Sequence, residues 1–293
     1  MKIRKIVDGD LPVVGRFLEL EQERGYPRGN LSAIERIFSE NGADLTENLF
    51  LIFQDEEPVG LIGTCPSLWG VDYLLGPILK KPYDQAEHVG ALLAEFLPDK
   101  DVFVDVVDGD LILKQELEKL SVRKDDPSFV MSYSLKGFTP VAGNSQILEL
   151  SVTDSAYIKQ VNQLFATHMQ PWATMEDSAE YEESLREAIA GNNNVTVVIS
   201  ESEVVGAVVW QWNGGLQVGE LFYLCVKTDC RGSGYGRELL NGALASVYNE
   251  SAASQGAKLN LDVDQNNEQA LAFYKAFGFV VEYGRTLYVH EAA

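Results

Sequence analysis

The sequence predicts an α/β fold in which a mixed sheet flanked by helices occurs twice along the chain. Apolar runs typical of strands alternate with amphipathic helical segments, and hairpin-like segments make the sheet mixed rather than purely parallel. The chain has 293 residues, more than a single domain usually has. Two sequence patterns also recur at one spacing. Together these observations predict two copies of one fold.

The first repeated pattern is a short strand, an Asp that can cap a helix, and an amphipathic helix. The second is a strand, an acidic turn and a strand that opens with Val-Gly. The copies lie 146 positions apart, pairing Asp8 with Asp154 and Val59-Gly60 with Val205-Gly206. The turn-forming stretch 137–144 is the expected junction. We therefore expect domains at 1–140 and 146–293.

The second copy is expected to continue from its hairpin in a regular order of strands and helices. A strand at 219–226 leads through a glycine-rich loop into a helix at 236–249. A strand at 258–263, a helix at 267–277 and a strand at 285–290 follow.

Composition and charge limit the classes of function. Hydrophobic residues make up 46% of the chain and charged residues 23%, as in globular proteins. The net charge of −21 is spread over both halves, with 15 basic and 25 acidic residues in 1–145 and 8 and 19 in 146–293. Such a surface repels nucleic acid and anionic membranes. It either aids solubility or attracts a cationic substrate.

Cysteine and histidine usage predicts neither a disulfide framework nor a metal site. Cys65, Cys225 and Cys230 are odd in number and lack metal-ligand spacing, and the three histidines are far apart in sequence. The first ten residues lack the apolar region of a secretory signal, and no apolar run reaches the roughly 20 residues that span a bilayer. We therefore expect a protein of the reducing cytoplasm.

The stretch VKTDCRGSGYGRELL, residues 226–240, places three alternating glycines between a strand and a helix. Backbone N–H groups of such a loop, with the positive end of the helix, can bind a phosphate. The spacing does not match the dinucleotide pattern G-x-G-x-x-G, and no Gly-Lys-Ser/Thr of a P-loop follows. Taken alone, the glycines are also compatible with a plain tight turn.

The flanking residues resemble the acetyl-CoA-binding motif of the GNAT family of N-acetyltransferases. The family motif R/Q-x-x-G-x-G/A matches 231–236, five residues after the strand-ending Val226. The downstream family motif is matched by Asn267, Ala270, Tyr274, Gly278 and Phe279.

The resemblance implies two tandem GNAT-like domains, each a mixed, mostly antiparallel central sheet flanked by helices. It implies acetyl-CoA as cosubstrate, without a metal. Backbone N–H groups of the glycine loop would bind the diphosphate, the end of the preceding strand would bind the pantetheine arm, and one Asn would contact that arm. The implied cofactor-binding residues are Leu224, Cys225, Val226, Arg231, Gly232, Ser233, Gly234, Tyr235, Gly236, Arg237 and Asn267.

The resemblance also implies catalytic roles. Tyr274 matches the general acid that protonates the leaving thiolate, although an aromatic residue packed in the core is the alternative. Glu220 or Asp262 would act as the base that takes the proton of the amine, and each is equally a solvated carboxylate at a strand end. The Val226 N–H would donate to the developing oxyanion. Regular alternation places Glu220 and Val226, with Phe222 and Leu224, on one face.

The segment 168–184 falls where the first helices of the family form the acceptor wall. An aromatic ring with nearby carboxylates could hold a cationic amine there, whereas a solvated acidic helix start is the alternative. These candidate residues are Trp172, Glu176, Asp177 and Glu180.

The first copy lacks the coenzyme motif. Asp84 and Glu87 replace the glycines and leave Gly90, while Asp110 and Leu117 stand at the positions of Asn267 and Tyr274. A carboxylate at that place repels phosphate. We interpret residues 1–140 as a degenerate GNAT-like domain that supports the active half.

The predicted function is acetyl-CoA-dependent transfer of an acetyl group to a primary amine by direct attack on the thioester. A non-catalytic acyl-CoA-binding or regulatory module, or transfer to a hydroxyl or thiol, are the alternatives. The acceptor is expected to be a small-molecule or peptide amine, possibly cationic, and the protein a monomer or homodimer without nucleic-acid or membrane partners.

Overall fold

The computed structural model describes residues 1–26, 30–66, 72–99, 101–120, 122–140, 146–168, 178–191, 193–214, 216–251 and 256–292. The chain forms two compact units. Unit 1 comprises Met1–Val130, Asp264–Asn267 and Glu282–Ala293, and unit 2 comprises Met131–Val263 and Glu268–Val281.

Unit 1 contains the first elements of the chain and part of its last strand. Its helices are α1 (Leu11–Glu23), α2 (Leu31–Glu40), α3 (Leu45–Asn48), α4 (Ala86–Phe96) and α5 (Leu111–Leu117). Its strands are β1 (Lys2–Lys5), β2 (Leu49–Gln54), β3 (Glu57–Cys65), β4 (Asp72–Leu79), β5 (Val102–Val107) and β6 (Arg123–Lys124). β7 (Ser128–Ser134) begins in this unit, and β13 (Val280–His290) ends in it.

The sheet of unit 1 has the strand order β1-β2-β3-β4-β5-β13. The pairs are antiparallel except β4–β5, which is parallel. Alternating apolar residues bury both faces. One hydrophobic cluster includes side chains of α1 and α2, and the other includes side chains of α4 and α5.

Unit 2 contains the end of β7 and the elements of the second half of the sequence. Its strands are β8 (Gln146–Glu149), β9 (Asn194–Ser200), β10 (Glu203–Asn213), β11 (Val218–Val226) and β12 (Lys258–Asp264). Its helices are α6 (Ser155–His168), α7 (Ser178–Ala190), α8 (Tyr235–Glu250) and α9 (Glu268–Phe277).

The sheet of unit 2 repeats the architecture of unit 1, with the order β8-β9-β10-β11-β12-β7. Pairing is antiparallel from β8 to β11 and parallel between β11 and β12. α6 and α7 cover one face, and buried residues of α8 such as Leu240 and Leu244 cover the other. The predicted fold, a mixed and mostly antiparallel sheet with flanking helices in two copies, is confirmed.

The two compact units do not follow a single cut in the sequence. The last strand was expected within a domain at 146–293, yet its residues Arg285–His290 pair with Val102–Val107 of unit 1. Conversely, Met131–Ser134, inside the expected domain 1–140, belongs to unit 2. Strand pairing between distant segments leaves no local signal, so contiguous boundaries do not describe these units.

The proposed equivalence of Asp8 and Asp154 is wrong by two residues. Asp154 Oδ2 accepts a hydrogen bond from the Ser151 N–H at 2.8 Å, immediately before α6. The corresponding bond in unit 1 runs from the Val7 N–H to Asp10 Oδ2 at 2.9 Å, immediately before α1. Asp10 is therefore the counterpart of Asp154. The pKa of Asp10 is lowered mainly by its hydrogen bond with Arg4 and also by the Val7 N–H, and that of Asp154 is lowered mainly by the Ser151 N–H.

Among the described residues, no helix has both the length and the apolar character needed to cross a membrane.

Candidate active site

β11 is interrupted by a bulge at the centre of unit 2. Val209 of β10 lies opposite Tyr223, while the next residue, Trp210, lies opposite Leu221. Phe222 is therefore an extra residue on β11. A bulge reverses the side-chain alternation of the strand beyond it.

The predicted common face for Glu220, Phe222, Leu224 and Val226 is wrong because of this bulge. The cross-strand partners of Glu220 and Cys225 both lie on the face of β10 that packs against α6. Leu224 and Val226 lie on the opposite face, where the Val226 side chain approaches the start of α8. The side chains of Glu220 and Val226 thus lie on opposite faces of the sheet.

The end of β11 directs backbone groups away from β10. The Lys227 N–H donates to Val205 O at 2.9 Å, and Val226 lies opposite Gly206. Successive residues of an antiparallel strand point their N–H and C=O groups to alternate sides. Leu224 and Val226 therefore point theirs toward the side of β12.

On that side the partner strand has already diverged. The parallel ladder joins Val218–Leu221 to Lys258–Leu261 and goes no further within the described residues. The backbone groups of Leu224 and the Val226 N–H consequently face a gap between β11 and β12, whereas Val226 O accepts a hydrogen bond from Arg231 Nε. Cys225, by contrast, points its backbone toward β10, and burial raises the pKa of its thiol to about 11.

The glycine loop follows the gap directly. After a short 3₁₀ turn, Gly232 and Gly234 have φ values of +82° and +94°, the left-handed region that favours glycine. Gly234 is the N-cap of α8 and provides no side-chain cap. The Glu238 N–H donates to Gly234 O at 3.1 Å, and this is the first backbone hydrogen bond of the helix. A Cβ added at either glycine would meet no atom within 4 Å. The first N–H groups of the helix thus face open space.

Other residues of the loop hold its two ends. Arg231 Nε donates to Val226 O at 3.2 Å, which ties the loop to the end of β11. Ser233 is exposed, and the Tyr235 hydroxyl lies 3.4 Å from Ser200 Oγ at the end of β9. His168 Nδ1, at the end of α6, lies 3.1 Å from Thr228 Oγ1.

α9 packs against the start of α8. A Cβ on Gly236 would lie 3.5 Å from the Phe273 ring, so a small residue is needed for close contact between the helices. The Arg237 guanidinium lies over the Phe277 ring, 5.3 Å from its centroid. Tyr274, the residue after Phe273, therefore lies on the helix that packs against the start of α8.

Tyr274 is buried, with 8% of its surface exposed. Its ring contacts Phe273 and Phe279, at centroid distances of 5.3 and 5.6 Å. Burial raises the pKa of the phenol well above its ordinary value of about 10. Its hydroxyl has no hydrogen-bond partner among the residues that the structure describes. It is therefore a protonated group with an uncommitted donor at neutral pH.

The two candidate bases lie on one face of the sheet. Glu220 is half-buried and lies beside Asn260 of β12 in the parallel register. Asp262 is exposed two residues further along β12, beyond the end of the ladder. Asn267 is exposed and immediately precedes α9, where its N–H donates to Asp264 O at 3.0 Å.

Sequence reasoning missed Asn260, which stands between the two carboxylates. Its position follows from the alternation of β12, in which Leu259 and Leu261 are buried and Asn260 faces the other side. The acceptor-wall residues Trp172, Glu176 and Asp177 lie outside the described residues. Glu180 lies in α7, without a described side chain.

Unit 1 has the same strand end, but a different arginine binds its carbonyl oxygen. Leu79 corresponds to Val226, because each lies opposite the glycine of the repeated Val-Gly pair. The Arg24 guanidinium, just after α1, donates to Leu79 O and lies 3.5 Å from Asp84. An arginine therefore binds the carbonyl at this strand end in both units, but in unit 1 it comes from the end of α1 and in unit 2 from the glycine loop.

The rest of the first-unit site is filled as well. Asp110 accepts hydrogen bonds from the Leu113 N–H and the Tyr26 hydroxyl, both at 3.0 Å. Leu117, at the position of Tyr274, is fully buried, and Glu87 is exposed. Asp84 and Asp110 are thus bound to other residues of unit 1, and Leu117 has no proton to donate.

The packing of α4 on α5 nevertheless matches that of α8 on α9. A Cβ on Gly90 would meet the buried Glu116 carboxylate, just as one on Gly236 would contact Phe273. Both glycines lie in the helix that follows the strand-end loop. The close helix pair is therefore common to both units, whereas the glycine-rich loop before α8 has residues 80–85 as its counterpart before α4.

Comparison with known proteins identifies the second half. Residues 159–279 match the model of the acetyltransferase (GNAT) family. These residues form a GNAT domain. The match contains the bulged strand, the glycine loop and Tyr274. No curated protein matches the chain in sequence.

Solved structures extend the fold assignment to the whole chain. A GCN5-related N-acetyltransferase from Sphaerobacter thermophilus is 17% identical, with a TM-score of 0.65 over 100% of this chain and 96% of that chain. A tandem GNAT protein from the clavulanic acid biosynthesis pathway is 12% identical, with a TM-score of 0.61 over 100% and 99%. The whole chain therefore has a tandem GNAT fold.

Within the part of the chain that the structure describes, no group of three His, Cys, Asp or Glu side chains is placed to hold a metal ion.

Proposed function

We propose that unit 2 is an acetyl-CoA-dependent N-acetyltransferase that moves an acetyl group to a primary amine. The observation that carries the proposal is the junction of β11 and α8. There, strand backbone groups that face a gap lead directly into a loop of left-handed glycines. This arrangement lies inside the GNAT domain, a family of acetyltransferases.

The residues present fit the coenzyme. The N–H groups of residues 232–237 and the positive end of α8 suit its diphosphate, and the open space in front of Gly232 and Gly234 leaves room for it. The backbone groups of Leu224 suit the amides of the pantetheine arm, and the Val226 N–H remains for the thioester carbonyl. Acetyl-CoA supplies the acetyl thioester.

We assign chemical roles to three side chains and one backbone group. The Val226 N–H would donate to the carbonyl oxygen of the thioester. An alkyl amine is mostly protonated at neutral pH, so a base must take its proton. We assign this role to the half-buried Glu220, with the exposed Asp262 as the second candidate. Tyr274 would give its proton to the departing thiolate.

We further propose that unit 1 binds no coenzyme and that the protein acts in a reducing cytoplasm. Arg24 pairs with Asp84 in the segment that stands in place of the coenzyme loop, and Tyr26 donates to Asp110 at the position of Asn267. Cys65, Cys225 and Cys230 are free thiols, as expected where disulfides do not form.

The test is product analysis with acetyl-CoA and a panel of polyamines, aminoglycosides, amino acids and peptides. Thiol release should depend on an added amine, and mass spectrometry should find the acetyl group on its nitrogen. Coenzyme binding without transfer to any amine, or acetylation on oxygen or sulfur alone, would contradict the proposal.

A further inference from the structure

The side-chain amide of Asn260 is unusual within the sheet of unit 2. Its Oδ1 atom is buried and has no hydrogen-bond partner among the described residues. An unpaired buried acceptor costs about 1–3 kcal/mol unless water or a ligand satisfies it. Such an atom at the edge of a proposed active site points to a missing donor.

The location of Asn260 defines what can reach it. It lies beside Glu220, and one register pair further, at Leu221 and Leu261, the ladder between β11 and β12 ends. Neighbouring strands are about 4.8 Å apart, so one small group can contact both side chains. Asp262 lies on the same face of β12, two residues along.

The three side chains share one chemical property. A carboxylate oxygen accepts hydrogen bonds only, and the unpaired amide atom of Asn260 is an acceptor. An ammonium or amine group has up to three N–H donors, whereas a hydroxyl has one and a thiol is a weak donor. The arrangement therefore favours a ligand with several donors on one atom.

We infer that Asn260 Oδ1 and the Glu220 carboxylate together bind the N–H groups of the acceptor at the closed end of the gap. Asn260 is then a binding residue that selects amines, and Glu220 both binds the amine and accepts its proton. This inference rests on the proposed function, since it assigns the acceptor end of the same site.

The direct test is a solution titration of the full-length protein saturated with coenzyme A and labelled with ¹⁵N at asparagine. The probes are ethylammonium and tetramethylammonium, which carry the same charge but differ in N–H donors. The Asn260 side-chain signal, assigned by its loss in Asn260→Leu, should shift saturably with ethylammonium only. No shift, or equal shifts with both cations, would overturn the inference.

Kinetics provide the second test, with any amine that the wild-type protein acetylates. Asn260→Leu should raise the acceptor KM about tenfold or more and leave the KM for acetyl-CoA unchanged. Asn260→Asp, which keeps the acceptor oxygens, should restore much of the affinity. The matched control is Asn194→Leu, a half-buried Asn on β9 whose partner Trp210 lies on the opposite face. An unchanged acceptor KM in Asn260→Leu would overturn the inference.

The two proposals fail in different ways. If the Asn260 signal shifts with ethylammonium but no amine is acetylated, the binding site stands and the proposed function falls. If amines are acetylated while neither the signal nor the acceptor KM changes, the function stands and the role of Asn260 falls.

Discussion

At the scale of single residues, the burial of Tyr274 has a direct chemical consequence. The proposed reaction requires a group that keeps its proton until the thiolate leaves, and burial raises the pKa of this phenol. Tyr274→Phe keeps the ring that packs between Phe273 and Phe279 and removes only the hydroxyl. We expect kcat to fall about 100-fold, with little change in acetyl-CoA affinity. Steady-state thiol release and calorimetric binding measure the two quantities.

The matched control for this variant is Tyr133→Phe. Tyr133 contacts Phe279 in the same aromatic cluster, with ring centroids 5.5 Å apart, but it has no assigned role in catalysis. Its kcat should stay close to that of the wild type. Equal losses in both variants would show that the cluster acts through packing, and the assignment of Tyr274 as the acid would be wrong.

At the scale of secondary-structure elements, local patterns predicted most of unit 2. The helix expected at 236–249 is Tyr235–Glu250, and the strand expected at 258–263 is Lys258–Asp264. The glycine loop was predictable because left-handed backbone angles and close approach require that residue type. Alternation was reliable only as far as the bulge.

The features that escaped prediction depend on contacts between distant segments. The extra residue Phe222 is defined only by the pairing of β11 with β10, and the sequence of β11 does not indicate it. The unpaired oxygen of Asn260 depends on where β12 lies. That Asp10 rather than Asp8 accepts the hydrogen bond from the Val7 N–H depends on where α1 begins. Each is decided by tertiary structure, which periodicity does not encode.

The last strand provides a prediction at this scale. Arg285 of β13 forms an ion pair with Asp105 of β5 at 2.9 Å, with 18% and 13% of the two side chains exposed. Arg285→Leu leaves a largely buried carboxylate without this partner. We expect a loss of about 1–3 kcal/mol of stability and faster hydrogen exchange in β5. Chemical denaturation and native-state exchange measure these effects.

Arg123→Leu is the corresponding control. Arg123, on the short strand β6 beside β13, pairs with Asp125, and 62% of the arginine side chain is exposed. Exposed ion pairs contribute less than about 1 kcal/mol. If the two variants lose the same stability, the Arg285 pair does not hold β13 as described.

At the scale of the whole molecule, the two units share one architecture but differ in the residues that follow the bulged strand. Both units keep the bulged fourth strand of the sheet, the short parallel ladder and the close helix pair. In unit 1 the strand-end carbonyl of Leu79 is bound by Arg24, which pairs with Asp84, whereas in unit 2 that of Val226 is bound by Arg231 of the glycine loop itself. The duplicated fold is therefore a scaffold, and its chemistry depends on a few residues at one strand end.

The composition of the units leads to a prediction about fragments. Residues 128–281 include both segments of unit 2, whereas 146–293 lacks the strand that pairs with β12 and retains the strand that pairs with β5. Fragment 128–281 should be the more cooperatively folded and should bind coenzyme A more tightly. Circular dichroism melting and calorimetry compare the two. Binding by 146–293 equal to that of the full chain would contradict the assignment of strands to units.

The central claim is that the glycine loop of unit 2 binds the coenzyme and that unit 1 binds none. Its most direct measurement is calorimetric titration of coenzyme A into the full chain and two variants. Gly234→Asp and Gly25→Asp place the same charge at left-handed positions with φ of +94° and +93°, both in open space. We predict one binding site, unchanged affinity in Gly25→Asp and loss of binding in Gly234→Asp. Two sites, or normal binding by Gly234→Asp, would contradict the claim.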